Sequence, residues 1–503
     1  MARPSEKLAE SLQVLRDLQQ AGVVAIRSSE LSRTHRERLI KNGFLHEVMK
    51  GWYISARPDE KKGESTAWYT SFWDFCAAYL NDRFDKNWSL SPEQSLLLQT
   101  GNRTVPKQLL VRTPKGGNKP TQLPHDTSIF DVRASLAKGA EVDVIENMRV
   151  FSLPASLVHI GPGMFRRNAT EVRAAMAMIS DASEILSVLL DGGHSTIAGR
   201  LAGAFRNIGR NEIADEIIKS MKAADYTVNV TDPFERASPF SLSSREPSPY
   251  VTRALLMWQE MRESVIEIFP SPSGERIDKK AYLKNIDETF VSDAYHSLSI
   301  EGYRVSEALI EKIRDGNWKP EDDEEDREHR NALAAKGYYE AFQNVKNSVG
   351  KVLDGANAGE IANSDHREWY RNLFAPGVTA GLLEATDLAG YRNGPVYIRQ
   401  SAHVPPPREA VRDLMPALFN LLKSEEHPVA RIVLGHFFFV FIHPYMDGNG
   451  RMGRFLMNVM MASGGYQWTV ITVDKRDEYM SALEEASVRG NIVPFAELLS
   501  KLL

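Results

Sequence analysis

The chain has 503 residues, too many for one hydrophobic core, so two to four domains are expected. Its 43% hydrophobic and 25% charged residues describe an ordinary soluble globular protein, and a net charge of −5 is too small to single out a strongly charged partner. A single cysteine, Cys76, excludes an intramolecular disulfide and a cysteine-built zinc site, which fits a reducing compartment.

The first residues, MARPSEKLAESLQ, lack the apolar stretch of a signal peptide. The most apolar run, Ile432 to Ile442, is too short to span a bilayer. No membrane association and a cytoplasmic location are therefore expected.

Residues 7–20 and 29–42 read as helices, with Ala21 to Arg27 between them. Phe44 to Ile54 then reads as a short strand pair with Lys50-Gly51 at its turn. This order predicts a winged helix-turn-helix over residues 1–58, with Leu31, Leu39, Ile40, Phe44 and Leu45 inside. From Arg27 to Lys50, six basic residues face three acidic ones, a local charge of +3. Arg33, Thr34, His35, Arg36, Arg38 and Lys41 would lie on the recognition helix, suited to double-stranded DNA. Winged helices also serve as protein-docking or dimerisation modules, and a homodimer stays open on the same grounds.

An α+β middle domain is expected over 59–165. Cys76 sits in the aromatic run Trp68 to Tyr79, as a small buried side chain would. The segment 101–120 holds five basic residues and no acid, either a second phosphate-contacting surface or a solvated loop. This half resembles AbiEi-type antitoxin regulators, which pair a winged helix with a larger downstream domain. That resemblance implies a DNA-binding half that could tune its own expression, as in toxin–antitoxin modules.

A helical segment follows over 166–231. Residues 232–249, DPFERASPFSLSSREPSP, are dense in Pro and Ser and are read as a linker. The acidic run Glu321 to Glu328 reads as a solvated loop or helix start. Residues 251–268 and 327–347 have helical periodicity. Tyr391 to Ile398, YRNGPVYI, is β-like around Asn393-Gly394, a dipeptide that suits a hairpin turn.

The run His443-Pro-Tyr-Met-Asp-Gly-Asn-Gly-Arg-Met-Gly-Arg454 is the strongest chemical signal. Gly448 and Gly450 allow left-handed backbone and close approach to a ligand. Arg451 to Met461 reads as a helix, so the preceding amides would form an anion nest at its N-terminus. Asp447 offers one carboxylate for Mg²⁺. Arg451 and Arg454, three apart, can both reach a polyphosphate. His443 is a base that titrates near neutrality.

This run resembles the Fic family signature HPFx(D/E)GNGRxxR, with Tyr445 in place of the usual Phe. The resemblance covers roughly residues 251–503. It implies an all-α domain over 250–503 with a β-hairpin flap, in a multidomain, mainly α chain. It further implies that ATP is the co-substrate and that AMP passes to a Tyr, Thr or Ser hydroxyl of a protein, self-modification included. His443 would take the hydroxyl proton and Asp447 would hold Mg²⁺. Gly448, Asn449 and Gly450 would cradle the α/β-phosphates, with Arg451 and Arg454 at the β/γ end. The YRNGPVYI segment resembles the family's flap, with Val396, Tyr397 and Ile398 as target-docking residues. His436, two turns before the motif, matches a family position and is read as structural.

Upstream, Ser297-Leu-Ser-Ile-Glu301-Gly302 matches the family's inhibitory pattern [S/T]xxxE[G/N]. By resemblance Glu301 pairs with Arg454 in place of the ATP γ-phosphate; an arginine fork cannot serve both well. In relatives the same glutamate can support removal of AMP. A nucleotide sensor attached to a DNA-binding regulator is the rival reading. Transfer of UMP, phosphate or phosphocholine is another.

Overall fold

The computed structural model describes residues 4–58, 64–136, 141–239, 248–272, 278–318 and 326–503. Residues 240–247 of the Pro/Ser-rich stretch and the side chains of the acidic run 321–328 lie outside these. The chain forms two compact units, Met1–Arg253 with Tyr397–Val404, and Ala254–Val396 with Pro405–Leu503.

The first unit opens with α1 (Pro4–Gln20), β1 (Ala25–Arg27), α2 (Arg33–Lys41), β2 (Leu45–Met49) and β3 (Trp52–Ser55), the strands pairing antiparallel in the order β1-β3-β2. Ser32 caps α2 by accepting from the His35 amide, and Gly51 turns the hairpin at φ +85°. Leu15, Ile26, Leu31, Leu39, Leu45 and Tyr53 form the core. Ile40, expected inside, is 41% exposed. It follows Leu39 by one residue, and a helix turns about 100° per residue, so only one of the two can face the sheet.

In α3 (Thr66–Phe84), Trp68, Phe72, Phe75, Cys76 and Leu80 fall at helical spacing and are buried. A mixed sheet follows: β4 (Ser89–Leu90), α4 (Pro92–Gln99), β5 (Gln108–Thr113), β6 (Pro120–Gln122) and β7 (Ser128–Arg133), in the order β4-β5-β7-β6. Strands β5 and β7 run parallel, from Gln108 opposite Ser128 to Thr113 opposite Arg133. A hairpin of β8 (Val142–Ile145) and β9 (Met148–Phe151) leads into α5 (Leu153–His159), α6 (Met164–Arg167), α7 (Ala169–Met178), α8 (Ala182–Gly192), α9 (Ser195–Asn207) and α10 (Asn211–Ala223).

Part of the expected linker is packed. Just before it, Gly199 and Gly203 of α9 lie so close to the Asn229 and Thr231 carbonyls that a Cβ at either would collide with them. Phe234 is buried beneath the Arg173 guanidinium, whose Nη2 donates to the Arg236 carbonyl at 2.6 Å.

Helix α11 (Pro249–Ile268) carries the chain into the second unit. There follow α12 (Lys279–Ile300), α13 (Glu307–Arg314), α14 (Asp326–Leu353), α15 (Ala358–Thr379), α16 (Arg408–Ser424), α17 (Pro428–Ile442), α18 (Asn449–Gly464), α19 (Arg476–Arg489) and α20 (Val493–Ser500). Among the described residues this unit has no strand. From Val429 to Ile442 every residue of α17 except Arg431 is buried. Such a helix, apolar all round, belongs at the centre of a bundle.

The expected hairpin at YRNGPVYI is absent: residues 391–404 contain no strand. Side chains take the groups a ladder would use. Arg408 Nη1 donates to the Asn393 carbonyl at 2.8 Å, and Arg412 Nη2 to Asn393 Oδ1 at 2.6 Å. Arg392 donates to the Gly394 carbonyl within the segment and to the Pro406 carbonyl beyond it.

Candidate active site

Helix α17 delivers His443 to the start of a tight loop, and α18 takes the chain away. His443 caps α17 in the left-handed region at φ 52°, ψ 60°. Its Nδ1 lies 3.2 Å from the Val440 carbonyl, so that nitrogen carries the proton and Nε2 is left as the base. Burial pushes the imidazole down to about 4, with the Arg392 guanidinium adding to the effect, so the ring is neutral at physiological pH.

Asn449 braces the loop. Its Oδ1 accepts from the Tyr445 amide at 2.9 Å and its Nδ2 donates to the Tyr445 carbonyl at 2.8 Å. Its side chain is thus committed to the Tyr445 backbone. The first amides of α18 have no partner within their own helix and carry the positive end of its dipole. Gly448 enters the helix at φ +79°, with Phe374 where a Cβ would project. Tyr445 fills the aromatic position, stacked on Tyr370 with centroids 3.8 Å apart.

Asp447 is exposed, its Oδ1 accepting from the Gly448 amide at 2.7 Å and its Oδ2 lying 3.4 Å from Arg451 Nη2. One open carboxylate beside an anion nest suits a Mg²⁺ ion whose other ligands are phosphate oxygens and water. Among the described residues no group of three or more metal-ligating side chains occurs. A cation here depends on the nucleotide for the rest of its shell.

The two arginines are held differently. Arg451 is buried, its guanidinium between the rings of Tyr303 and Phe374, 5.2 and 5.0 Å from their centroids. Arg454 is buried and hydrogen-bonded to the end of α12. Its Nε donates to Ser297 Oγ at 2.9 Å, and its Nη2 to the Ser297 carbonyl at 3.0 Å and to Glu301 Oε1 at 2.8 Å. Burial works to lower its pKa, and the Glu301 carboxylate overrides that, leaving it raised. Gly302 adopts φ +88°, and the Tyr303 amide returns to the Leu298 carbonyl at 3.1 Å, so α12 stops where Glu301 meets the arginine. Gly450 leaves room for the carboxylate, since a Cβ there would overlap Glu301 Oε1.

Behind this contact lies a polar cluster that the sequence did not reveal. Asp293, one turn before Ser297, accepts from Tyr338 Oη at 2.7 Å and from Trp468 Nε1 at 3.2 Å. These partners are brought together only by folding. Tyr479 of α19 is buried, its Oη 2.8 Å from Nε2 of the buried His436. Arg476, at the start of α19, donates to the Ile300 carbonyl at 2.9 Å.

Of the flap residues, Val396 is buried in the second unit, and Tyr397 and Ile398 belong to the segment grouped with the first. In that segment Arg399 Nε pairs with Glu64 at 2.7 Å and the Val105 amide donates to the Ala402 carbonyl at 3.0 Å. On α2, the candidate DNA-contacting side chains divide. His35 Nδ1 lies 2.9 Å from Ser11 Oγ, Arg36 donates to the Ser28 carbonyl, and Arg38 donates to Lys7 and Ser11. Arg33, Thr34 and Lys41 are exposed, Arg33 in an ion pair with Glu37.

A model of the Fic/DOC family matches residues 362–461, which span α15 to α18 and the whole glycine-rich loop. These residues form a Fic/DOC domain. The chain is 29% identical over 253 residues to the protein adenylyltransferase Fic of Drosophila virilis, covering 49% of this chain and 47% of that one. To the protein of the same name from Nematostella vectensis it is 28% identical over 251 residues, covering 48% and 54%. The chain thus spans about half the length of the curated relatives it matches. Among solved structures, residues 134–508 of Fic-1 from C. elegans align with a TM-score of 0.37 at 20% identity, over 67% of this chain and 93% of that one. The Glu301–Arg454 contact joins the Fic domain to a helix upstream of the matched residues.

Proposed function

We propose that the chain is a self-inhibited protein adenylyltransferase. The observation that carries this reading is His443, neutral, with Nδ1 committed to Val440 and Nε2 left as a base beside the α18 N-terminus and two arginines. ATP fits that arrangement as the donor. Its α/β-phosphates would lie on the first amides of α18, with Arg451 and Arg454 toward the β/γ end. Asp447 would hold Mg²⁺, which neutralises phosphate charge when bound. His443 Nε2 takes the proton of a Tyr, Thr or Ser hydroxyl as its oxygen attacks the α-phosphorus, and pyrophosphate leaves. Val396, Tyr397 and Ile398 are assigned to the target. While Glu301 holds Arg454, the γ-phosphate lacks that arginine and the nucleotide binds unproductively.

The test is incorporation of α-phosphate-labelled ATP with Mg²⁺, using lysate targets and scoring self-labelling separately. Label that appears with Glu301→Gly and vanishes with Glu301→Gly/His443→Ala supports transfer, brake and base together. No label in any folded, ATP-binding variant favours the nucleotide-sensor reading. UTP, γ-labelled ATP and CDP-choline test the other groups.

For the N-terminal unit, we propose a winged helix that contacts DNA phosphates through Arg33, Thr34 and Lys41. Support comes from the helix–strand–helix–hairpin order and from the exposure of those side chains. Duplex binding that weakens with salt and with Arg33→Ala/Lys41→Ala is the expected result. Binding unaffected by either would count against it.

A further inference from the structure

Arg392 lies outside the signature loop and outside the brake, and it is 2% exposed. Its main-chain amide donates to the Pro444 carbonyl at 2.9 Å and its Nε to the His443 carbonyl at 2.8 Å. Nη1 reaches the Gly394 carbonyl at 3.2 Å, and Nη2 donates to the Pro406 carbonyl. One residue thus gathers four carbonyls from three stretches of chain: the two residues that open the glycine-rich loop, Gly394 within the flap, and Pro406 in the proline run after it.

Geometry makes the His443 bond the consequential one. His443 sits at φ 52°, a region that costs a non-glycine residue about 1–2 kcal/mol. Such a conformation persists only where its surroundings over-determine it. Three bonds do so here, the first from the His443 amide to the Phe439 carbonyl at 3.1 Å. Val440 holds the ring through Nδ1, and Arg392 holds the carbonyl that follows it. A planar guanidinium with donors at fixed angles can satisfy three carbonyls at once; an ammonium on a flexible stem cannot hold that pattern.

We propose that Arg392 is a positioning residue that locks the His443 backbone to the chain at Gly394 and Pro406, so that the base keeps one fixed orientation. It touches neither nucleotide nor target in this scheme and acts through His443. An incoming hydroxyl then meets Nε2 without a search. The role rests on the adenylyl-transfer reading.

The experiment uses the full chain in the Glu301→Gly background, with Arg392→Ala and Arg392→Lys. Labelled transfer gives kcat and KM, calorimetry gives ATP affinity, and thermal melting gives the folded fraction. The expected result is a kcat about 10- to 100-fold lower per folded enzyme for Arg392→Ala, since small misplacement of reacting groups costs about that much. ATP affinity should stay within about threefold, because the α18 amides and both phosphate arginines are untouched. Arg392→Lys should recover only part of kcat. If Arg392→Ala does not fold, Arg392→Lys decides, and a kcat equal to the parent's overturns the role. So does a loss that appears wholly as weaker ATP binding. A Glu301→Gly parent with no transfer overturns the adenylyl-transfer reading, and the role of Arg392 falls with it; transfer in the parent that Arg392→Ala leaves unchanged overturns the Arg392 role alone.

Discussion

Oε1 of Glu301 stands 2.8 Å from Nη2 of Arg454, and the same guanidinium also takes both the side-chain and the main-chain oxygen of Ser297. A carboxylate and a serine one helical turn apart therefore share one arginine. Replacing Glu301 with Gly should raise α-phosphate labelling by roughly 5- to 150-fold, the usual span of a coupling between two ligands for one site. Ser297→Ala removes one acceptor and leaves Glu301 in place. It should give a smaller rise in labelling and a loss of about 2 kcal/mol in stability, as expected for a hydrogen bond to a buried charged group. Equal labelling in wild type and Glu301→Gly would mean the contact is not a brake.

The His443 ring, held near 4 by burial, must be neutral to act as a base. Activity is therefore lost as pH falls through that value. In the Glu301→Gly variant the acid limb of kcat/KM, which reports the free enzyme, should lie near pH 4–5. Bound polyphosphate favours the imidazolium, so the limb of kcat itself should lie higher. An acid limb in kcat/KM at the ordinary histidine value would show the ring to be open to water. His366 and His436 are likewise pushed down to about 4 by burial. A depressed folded-state pKa contributes stability that is complete above the unfolded value and is lost as pH falls toward the folded one. Melting temperature should therefore decline between about pH 6.5 and pH 4.

Asp293 works in the opposite sense. Burial raises its carboxyl from 3.8 to about 6, against the hydrogen bonds of Tyr338 and Trp468. A raised folded-state value means the stability contribution is complete below the unfolded pKa and lost as pH rises through the folded one. Asp293→Asn removes the buried charge and keeps an acceptor. Its melting temperature relative to wild type should rise between pH 4 and pH 6 and stay level above. A constant difference across that range would show that Asp293 does not titrate there.

Tyr445 carries a buried Oη with no hydrogen-bond partner among the described residues, while its ring stacks on Tyr370. Tyr445→Phe keeps the stack and deletes the unsatisfied hydroxyl. Stability should rise by about 1 kcal/mol, read by denaturant unfolding, with labelling of the Glu301→Gly background unchanged. A loss of stability would show that the hydroxyl has a partner in solution.

What could be read from the chain was what lies close together along it. His443 to Arg454 is one contiguous loop, and the Ser297–Glu301 spacing declares a shared helical face before any fold is known. Lys50-Gly51 turned its hairpin as expected, because Gly51 must take a positive φ there. Asn393-Gly394 carried a similar local signal and made no hairpin, since Arg392, Arg408 and Arg412 took its carbonyls and side chain. No periodicity reports an arginine that bonds a carbonyl 51 residues away. Nor did periodicity report that His35, Arg36 and Arg38, on the expected DNA-contacting face, have partners in α1 and in the turn after β1.

Glu301 is attached to the same chain as the arginine it occupies, so in the proposed scheme it would compete with the γ-phosphate of ATP as a tethered ligand whose local concentration is fixed by geometry. Tethers of this kind reach millimolar effective concentration or more. In the proposed scheme, raising the nucleotide supply would then do little to displace it. In that scheme release would come from a shift of the end of α12 itself, where Gly302 breaks the helix and Arg476 anchors the Ile300 carbonyl. In the proposed scheme the chain would answer a shift at that corner rather than a rise in its own substrate.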